Sequence, residues 1–168
     1  MFEQTALPHL NAAYNLARWL TRNEDDAKDI VQESYLRAFR LYDSYRGGDS
    51  KAWLLAVVRN TFLTWRSRTY RSVETSLSDE VERSAESDAA TALDRLVDEV
   101  QVEALRNCIE QLPDEFREVL VMRELEEMSY QQIVGTTNLP LGTVMSRLSR
   151  ARKRLAQCVN GRAAGARR

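Results

Sequence analysis

The sequence predicts an all-α protein in which a flexible acidic linker joins two small helical domains. The chain of 168 residues contains only six glycines and three prolines, and no segment shows the sustained alternation of apolar and polar residues that is typical of strands. Apolar residues recur instead at spacings of three and four, the period of an amphipathic helix. The stretch from Ser72 to Ala90 is rich in Ser, Glu and Asp and poor in large apolar residues, as expected of a linker.

The net charge of −1 hides a strong asymmetry along the chain. Residues 1–68 hold ten basic and eight acidic side chains, residues 69–105 hold three and ten, and residues 106–168 hold eleven and seven. Two basic lobes therefore flank an acidic middle, and basic surfaces indicate a polyanionic partner such as nucleic acid. Because no apolar run is long enough for a membrane span or a signal peptide, we expect no membrane insertion and a cytoplasmic location.

The few cysteines and histidines limit the chemistry of the chain. Only Cys108, Cys158 and His9 are present, and the wide separation of the two cysteines excludes a disulfide framework and gives no zinc-site spacing. Cys108 falls on an apolar stripe, so we expect it in the core. The sequence contains neither a Gly-rich phosphate loop nor a cluster of metal ligands. It therefore predicts a protein that is not an enzyme and has no metal or cofactor.

Two helices are predicted before residue 43. The first spans roughly Leu7 to Leu20, with apolar residues in register at Leu7, Leu10, Tyr14 and Ala17. Asn23 is a good N-cap for the second, which runs to about Tyr42 and carries three acidic residues at the positive end of its dipole. The inner stripe of this helix comprises Ala27, Ile30, Val31, Ser34, Ala38 and Leu41. Another face is polar and carries Asp29, Gln32 and Glu33.

A third helix follows the glycine-containing loop Tyr45–Asp49. Ser50 is its predicted N-cap, and it runs to Arg68 with Leu54, Val57, Val58, Thr61 and Trp65 facing inward. The helix mixes cations with aromatic residues, a composition that suits contacts to phosphates and stacking on unpaired bases. Aromatic residues at helical spacing more often belong to a core, so we expect Phe62, Trp65 or both to be buried.

The C-terminal half contains the pattern of a helix-turn-helix. Ser129-x-x-Gln132 predicts a capping box at the start of a short helix, and Asn138 tolerates the left-handed conformation of a tight turn. Pro140 suits the start of the next helix. One face of that helix is apolar and comprises Leu141, Val144, Leu148, Ala151 and Leu155; the other carries Thr143, Ser146, Arg147, Arg150 and Arg154.

The second helix of this motif has the charge of a DNA-binding element. From Val144 to the C-terminus there are eight Lys or Arg residues and no acidic residue. Basic residues neutralise phosphates, and short polar residues near a helix start can approach base edges. A solvated basic face on an ordinary packed helix is the alternative, but the closely spaced cap, turn and stripe favour DNA binding. We expect Arg147 to read a base, and Arg152, Lys153 and Arg154 to contact phosphates.

Three segments of the chain resemble bacterial sigma factors. Residues 26–39, DAKDIVQESYLRAF, resemble the helix of sigma region 2. Residues 45–48 and 52–60 look like the promoter-opening segment of the same region, and the helix-turn-helix looks like region 4. The order of the motifs, the short acidic linker and the absence of other sigma regions are similar to the extracytoplasmic-function (ECF) group. The resemblance implies region 2 at 1–70, a linker at 71–92, region 4 at 93–160 and a basic tail at 161–168.

The resemblance also implies a function and the residues that carry it. The chain would bind core RNA polymerase, direct it to promoters, and have an anti-sigma factor as a further partner. Asp29, Gln32 and Glu33 would dock on the clamp helices of the largest polymerase subunit. The −10 element would be opened and read by Lys51, Arg59 and Asn60. The −35 element would be met by Thr143, Ser146, Arg147, Arg150 and Arg154.

Two positions depart from the sigma pattern. Met145 stands where the family often has lysine, and Gly135–Thr137 replaces a more helical, more apolar stretch. These departures leave the −35 preference open.

Three other functions can be weighed against a sigma factor. A helix-turn-helix regulator that binds duplex DNA on its own would explain the C-terminal motif but not residues 26–39. An enzyme is not supported, because the sequence has one histidine and neither a Gly-rich phosphate loop nor a cluster of metal ligands. A purely structural helical scaffold would not need polar, base-reading residues beside the basic face.

Overall fold

The computed structural model describes residues 1–73 and 93–165, and the side chains of residues 1–72 and 99–165. Within these ranges the chain forms helices, turns and loops without a strand, so the all-α prediction is confirmed. Most of the predicted linker, residues 74–92, and the end of the basic tail, residues 166–168, lie outside the described residues. None of the described helices combines the length and the apolar character needed to cross a membrane.

The described helices fall into two groups, one before and one after residues 74–92. They are α1 (Phe2–Ala6), α2 (Leu10–Thr21), α3 (Glu24–Leu41), α4 (Ser50–Val73), α5 (Leu93–Glu110), α6 (Asp114–Leu120), α7 (Tyr130–Thr137) and α8 (Leu141–Gly165). Short 3-10 turns occupy Leu7–His9 and Tyr42–Ser44, and α6 continues into the π-helical turn Val121–Leu125. The chain then passes through residues 126–129 to the start of α7.

Helices α2, α3 and α4 pack on one another and form the core of the N-terminal half. The predicted cap of α3 is confirmed, because Asn23 Oδ1 accepts a hydrogen bond of 2.9 Å from the backbone N–H of Asp26. The predicted cap of α4 is wrong by one residue. Asp49, rather than Ser50, accepts the 2.9 Å bond from the N–H of Ala52, since the helix already includes Ser50.

Three predicted inward leucines of this half are exposed. The 3-10 turn Leu7–His9 separates α1 from α2 and breaks the register that the sequence suggested, so Leu7 and Leu10 face solvent. Leu41, the last residue of α3, is also exposed, because no helix covers the end of the stripe. Phe62 is buried as expected, and Trp65 is half-buried against its ring.

The helix-turn-helix has the predicted local geometry. Ser129 Oγ accepts from the N–H of Gln132 at 3.1 Å, and the side chain of Gln132 accepts from the N–H of Ser129 at 2.6 Å. Asn138 ends α7 in the left-handed conformation, with φ of 56°. Val144, Leu148 and Ala151 are buried along α8, whereas Leu141 is exposed, which contradicts its place on the predicted inner stripe.

The expectation that the cysteines form no disulfide is wrong. Cys108 near the end of α5 and Cys158 on α8 form a disulfide, with Cα atoms 5.8 Å apart. Their separation of 50 residues concealed the pairing, because α8 folds back along α5. Cys108 is buried as expected. The disulfide fastens the C-terminal half of α8 to the first helix of its own domain.

The two halves of the molecule pack directly on each other. Helix α2 contacts α6, and α4 contacts α7. Arg117 of α6 is completely buried and its Nε donates to the carbonyl oxygen of Trp19 in α2 at 2.8 Å. A buried guanidinium requires several acceptors to offset its lost hydration. Arg117 also donates to the carbonyl oxygen of Leu112 at 2.7 Å, so both halves contribute to its environment.

Candidate nucleic-acid interface

The basic residues of α4 face the second half of the molecule. Arg59 donates from Nε and Nη2 to the two carboxylate oxygens of Glu118, at 2.8 and 3.0 Å. Lys51 Nζ lies 2.8 Å from the carbonyl oxygen of Glu126 and 3.2 Å from its carboxylate. Two of the three residues predicted to meet the −10 element are therefore engaged within the protein. The third, Asn60, is exposed.

Glu118 is the acidic residue on which predicted DNA contacts from both halves converge. Its carboxylate binds Arg59 of α4 and also lies 3.9 Å from Nη1 of Arg147, on α8. Arg147 is paired in addition with Glu115, at 3.6 Å. The side chains of Arg59 and Glu118 are 13% and 8% exposed, so this ion pair is largely removed from water. Arginine forms charge-assisted hydrogen bonds with carboxylates and with phosphates alike, and here both arginines are directed at a carboxylate of the protein.

A second cluster of charge joins the halves at Asp114, the first residue of α6. Its carboxylate accepts from Arg66 of α4 at 2.6 Å and from Arg22 at 3.2 Å, and it is also paired with Arg117. Burial raises the pKa of Asp114, but the hydrogen bond and charge of Arg117 and those of Arg22 lower it more, so the pKa lies below its usual value. Asp114 and Glu118 of α6 thus form ion pairs with cations of the N-terminal half.

The caps of α4 and α7 also meet at this interface. Asp49 Oδ1 caps α4, while Oδ2 accepts a hydrogen bond from the side-chain amide of Gln132. The same Gln132 closes the capping box of α7 through its other amide atom. The backbone hydrogen bond to Ala52 and the bond from Gln132 lower the pKa of Asp49, with burial acting in the opposite direction. One contact thus joins the starts of two helices from different halves.

The predicted −35 residues occupy different environments on α8. Ser146, Arg150 and Arg154 are exposed, whereas Thr143 and Arg147 are half-buried. The Arg154 guanidinium lies 4.9 Å from the centre of the Phe116 ring, which fixes its direction while leaving it accessible. Ser146 Oγ donates to the carbonyl oxygen of Thr143 at 3.1 Å. The outer face of α8 remains open to solvent although Arg147 is engaged inside the molecule.

The predicted polymerase-docking residues lie on a separate surface of α3. Asp29 and Gln32 are exposed, and Glu33 accepts a 2.8 Å hydrogen bond from Arg37. That hydrogen bond lowers the pKa of Glu33, with the charge of Arg37 acting in the same direction. The same side of the helix exposes two large apolar residues, Leu36 at 55% and Phe39 at 65%. A surface that combines exposed apolar side chains with carboxylates is suited to a protein partner.

The structure brings Arg59 and Arg147 together at Glu118 and places Lys51 against Glu126, whereas the predicted residues of α3 lie on another surface. Sequence reasoning missed their acidic partners, Glu118 and Glu126, which are 6% and 7% exposed. The one available signal was the acidic composition of residues 114–127 beside two basic segments. That signal indicates charge complementarity but does not identify which carboxylates are buried.

Family models match both halves of the chain. The model for Sigma-70 region 2 matches residues 6–72, and the model for Sigma-70, region 4 matches residues 102–155. The chain is 32% identical to the ECF RNA polymerase sigma factor SigE of Mycolicibacterium smegmatis, over 91% of this chain and 62% of that relative. It is 35% identical to the ECF RNA polymerase sigma-E factor of Haemophilus influenzae, over 82% of this chain and 76% of that protein.

Solved structures share the fold over nearly the full length. The sigma factor RpoE, in complex with the anti-sigma factor NepR from Bartonella quintana, aligns with a TM-score of 0.80 at 28% identity, over 95% of this chain and 96% of that one. The structure of CnrH with the cytosolic domain of CnrY aligns with a TM-score of 0.66 at 22% identity, over 95% and 88%. This second likeness concerns the fold alone.

Proposed function

The chain belongs to the ECF sigma factors, and from this premise we propose that it binds core RNA polymerase and directs promoter-specific initiation through the −10 and −35 elements. The observation that carries the proposal is the pairing of a capped helix-turn-helix, whose outer face is basic, with a second basic helix in the matched region 2. The polymerase carries out the chemistry, and this chain supplies promoter recognition and strand opening in the cytoplasm.

The proposed division of labour follows the two matched regions. Residues 1–70 form region 2, which docks on polymerase and opens the −10 element. Residues 93–160 form region 4, which reads the −35 element, and residues 71–92 connect the two. The basic tail, residues 161–168, adds charge that favours the DNA phosphates.

Polymerase docking is assigned to the exposed face of α3. Asp29, Gln32 and Glu33 offer carboxylate and amide groups, and Leu36 and Phe39 add apolar area at the same side. The face lies away from the contact between the halves, so it remains accessible in the arrangement observed. Core polymerase can therefore approach region 2 before the two regions separate.

DNA binding requires the two halves to part. Arg59 and Lys51 cannot reach phosphates or bases while Glu118 and Glu126 hold them. We assign −10 contacts to Lys51, Arg59 and Asn60 in the separated state. The half-buried Trp53, whose ring centre lies 4.8 Å from that of Tyr45, would supply a surface for an unpaired base beside them.

An anti-sigma factor is the third proposed partner. The sigma factor RpoE, to which this chain is similar, was solved in complex with the anti-sigma factor NepR. Such a partner would act on this chain by stabilising the arrangement in which Arg59 and Arg147 share Glu118. The proposal requires only that the partner bind this arrangement more tightly than the separated one.

Run-off transcription tests the proposal. Purified chain and core polymerase are incubated with a library of upstream sequences, and the transcribed templates are sequenced. We expect transcripts that depend on the chain and share two elements separated by a fixed spacing. If the chain alone binds the selected duplexes as tightly as the reconstituted holoenzyme does, the alternative of a stand-alone helix-turn-helix regulator replaces the sigma assignment.

A further inference from the structure

The start of α8 exposes two neighbouring apolar side chains. Leu141 is 40% exposed and Met145 is 51% exposed. They are four residues apart, so they lie one turn apart on the same side of the helix. The inner stripe of α8 is formed without them, by Val144, Leu148 and Ala151. These two residues therefore lie outside the buried core described above.

The surroundings of this pair indicate which partner covers it. Ser146, Ser149 and Arg150 are exposed beside it, and the chain carries eight Lys or Arg and no acidic residue from Val144 onward. That charge complements DNA. An area of two side chains is far smaller than the roughly 800 Å² that each partner contributes to a standard protein interface. Met145 is exposed in the observed arrangement, so the pair is available for DNA once region 4 engages a duplex.

We propose that Met145, supported by Leu141, recognises thymine through its C5-methyl group in the −35 element. The inference rests on the proposed function, since it specifies what region 4 reads. Thymine is the base that presents an apolar group in the major groove, where the other positions offer hydrogen-bond donors and acceptors. The thioether of Met145 has no donor for phosphate or guanine, but it is flexible and polarisable and fits an apolar group well. A thymine at the position facing Met145 is therefore favoured.

Replacement of thymine by deoxyuridine tests the contact, because it removes only the methyl group. Holoenzyme is first used to select a −35 sequence from a library with a randomised upstream region. Each thymine of the selected duplex is then replaced by deoxyuridine, one position at a time. The equilibrium affinity of the holoenzyme for each duplex is measured. At one or two positions we expect the affinity to fall about fourfold. This corresponds to about 0.8 kcal/mol, the contribution of one buried methyl-sized group.

Variants assign that loss to a residue. Met145→Ala should bind the thymine duplex more weakly than the parent does, and it should bind the uracil duplex with the same affinity as the thymine duplex. Met145→Gln keeps the length of the side chain but should give the same result. Val159→Ala is the matched control, because Val159 is an exposed apolar residue on the same helix, 38% exposed and four turns further along. It should retain the parent's ratio of thymine to uracil affinity.

The possible outcomes separate the two proposals. Equal affinity for thymine and uracil at every position overturns the methyl contact but leaves sigma activity intact. If Met145→Ala keeps the parent's ratio of thymine to uracil affinity, Met145 does not make the contact. Loss of core-polymerase binding by Met145→Ala, measured by pull-down, reassigns the pair to a protein partner. Holoenzyme that selects no upstream sequence overturns the proposed function together with this inference.

Discussion

Arg59 and Glu118 form a two-bond ion pair across the two halves of the protein, at 2.8 and 3.0 Å. The pair is largely buried, and its carboxylate also faces Arg147. Because Arg59 is assigned to the −10 element and Arg147 to the −35 element, one glutamate occupies both. In the observed arrangement, one carboxylate of α6 therefore engages a proposed −10 residue and a proposed −35 residue at the same time.

Glu118→Gln should favour separation of the halves. Glutamine keeps the shape and one acceptor but loses the charge, and a buried cation left with an incomplete partner costs about 1–3 kcal/mol. Small-angle scattering should therefore show a larger radius of gyration than for the parent. Glu124→Gln is the control, since Glu124 pairs with Arg152 inside one half. An unchanged radius in Glu118→Gln would show that this pair does not hold the halves together.

Acid should weaken the same interface through Asp114. Its pKa is lowered in the folded protein, so the stabilisation by this carboxylate is complete above the ordinary aspartate pKa of about 3.9 and is lost as the pH falls through the lowered value. We expect the parent to expand at acidic pH. Asp114→Asn should be expanded already at neutral pH and respond less to acid, whereas Glu115→Gln should follow the parent. Identical titrations of parent and Asp114→Asn would assign the acid response to other carboxylates.

Charge reversal on α3 should impair polymerase binding. Asp29 is exposed and makes no part of the core, so Asp29→Arg should preserve helicity while weakening core binding at least tenfold, about 1.4 kcal/mol. Asp43→Arg makes the same charge change in the exposed turn Tyr42–Ser44 and should bind normally. Quantitative pull-down on core polymerase, with circular dichroism of each variant, measures the effect. Equal recovery of all three proteins would remove Asp29 from the docking surface.

The disulfide should stabilise the C-terminal half. Cross-linking of positions 50 residues apart is worth about 2–4 kcal/mol, and for a chain of this size that corresponds to a fall of roughly 4–16 °C in melting temperature on reduction. Thermal unfolding with and without reductant measures the difference. A Cys108→Ala, Cys158→Ala double variant should melt at the same temperature in both buffers. If reductant leaves the parent unchanged while free thiols appear, the bond contributes nothing to stability.

Local signals made much of the fold predictable. The caps at Asn23 and Ser129 and the turn at Asn138 depend on residues close in sequence, and all three are confirmed. The apolar periods of α3 and α8 also gave most of the buried residues. The errors at Leu41 and Leu141 share one cause, since each lies at the end of a helix, where the apolar period does not show whether another element covers the residue. Leu7 was misplaced because the 3-10 turn breaks the helical register.

The contact between the halves was not predictable in this way. Arg59 and Glu118 are 59 residues apart, and burial of a charged residue depends on a partner that no local pattern reveals. Arg117 illustrates the difficulty, because three backbone carbonyls from two segments far apart in sequence accept its hydrogen bonds. The pairing of Cys108 with Cys158 was missed for the same reason. Long-range topology decides all three.

The double role of Gln132 explains why glutamine rather than glutamate occupies that position. A capping box accepts either residue, since both provide a side-chain oxygen for the N-cap amide. Only glutamine also provides an N–H group, and here that group donates to the carboxylate of Asp49. Glutamate would keep the helix start and place two carboxylates in contact. Gln132→Glu therefore keeps the capping box of α7 and removes the hydrogen bond between the two halves.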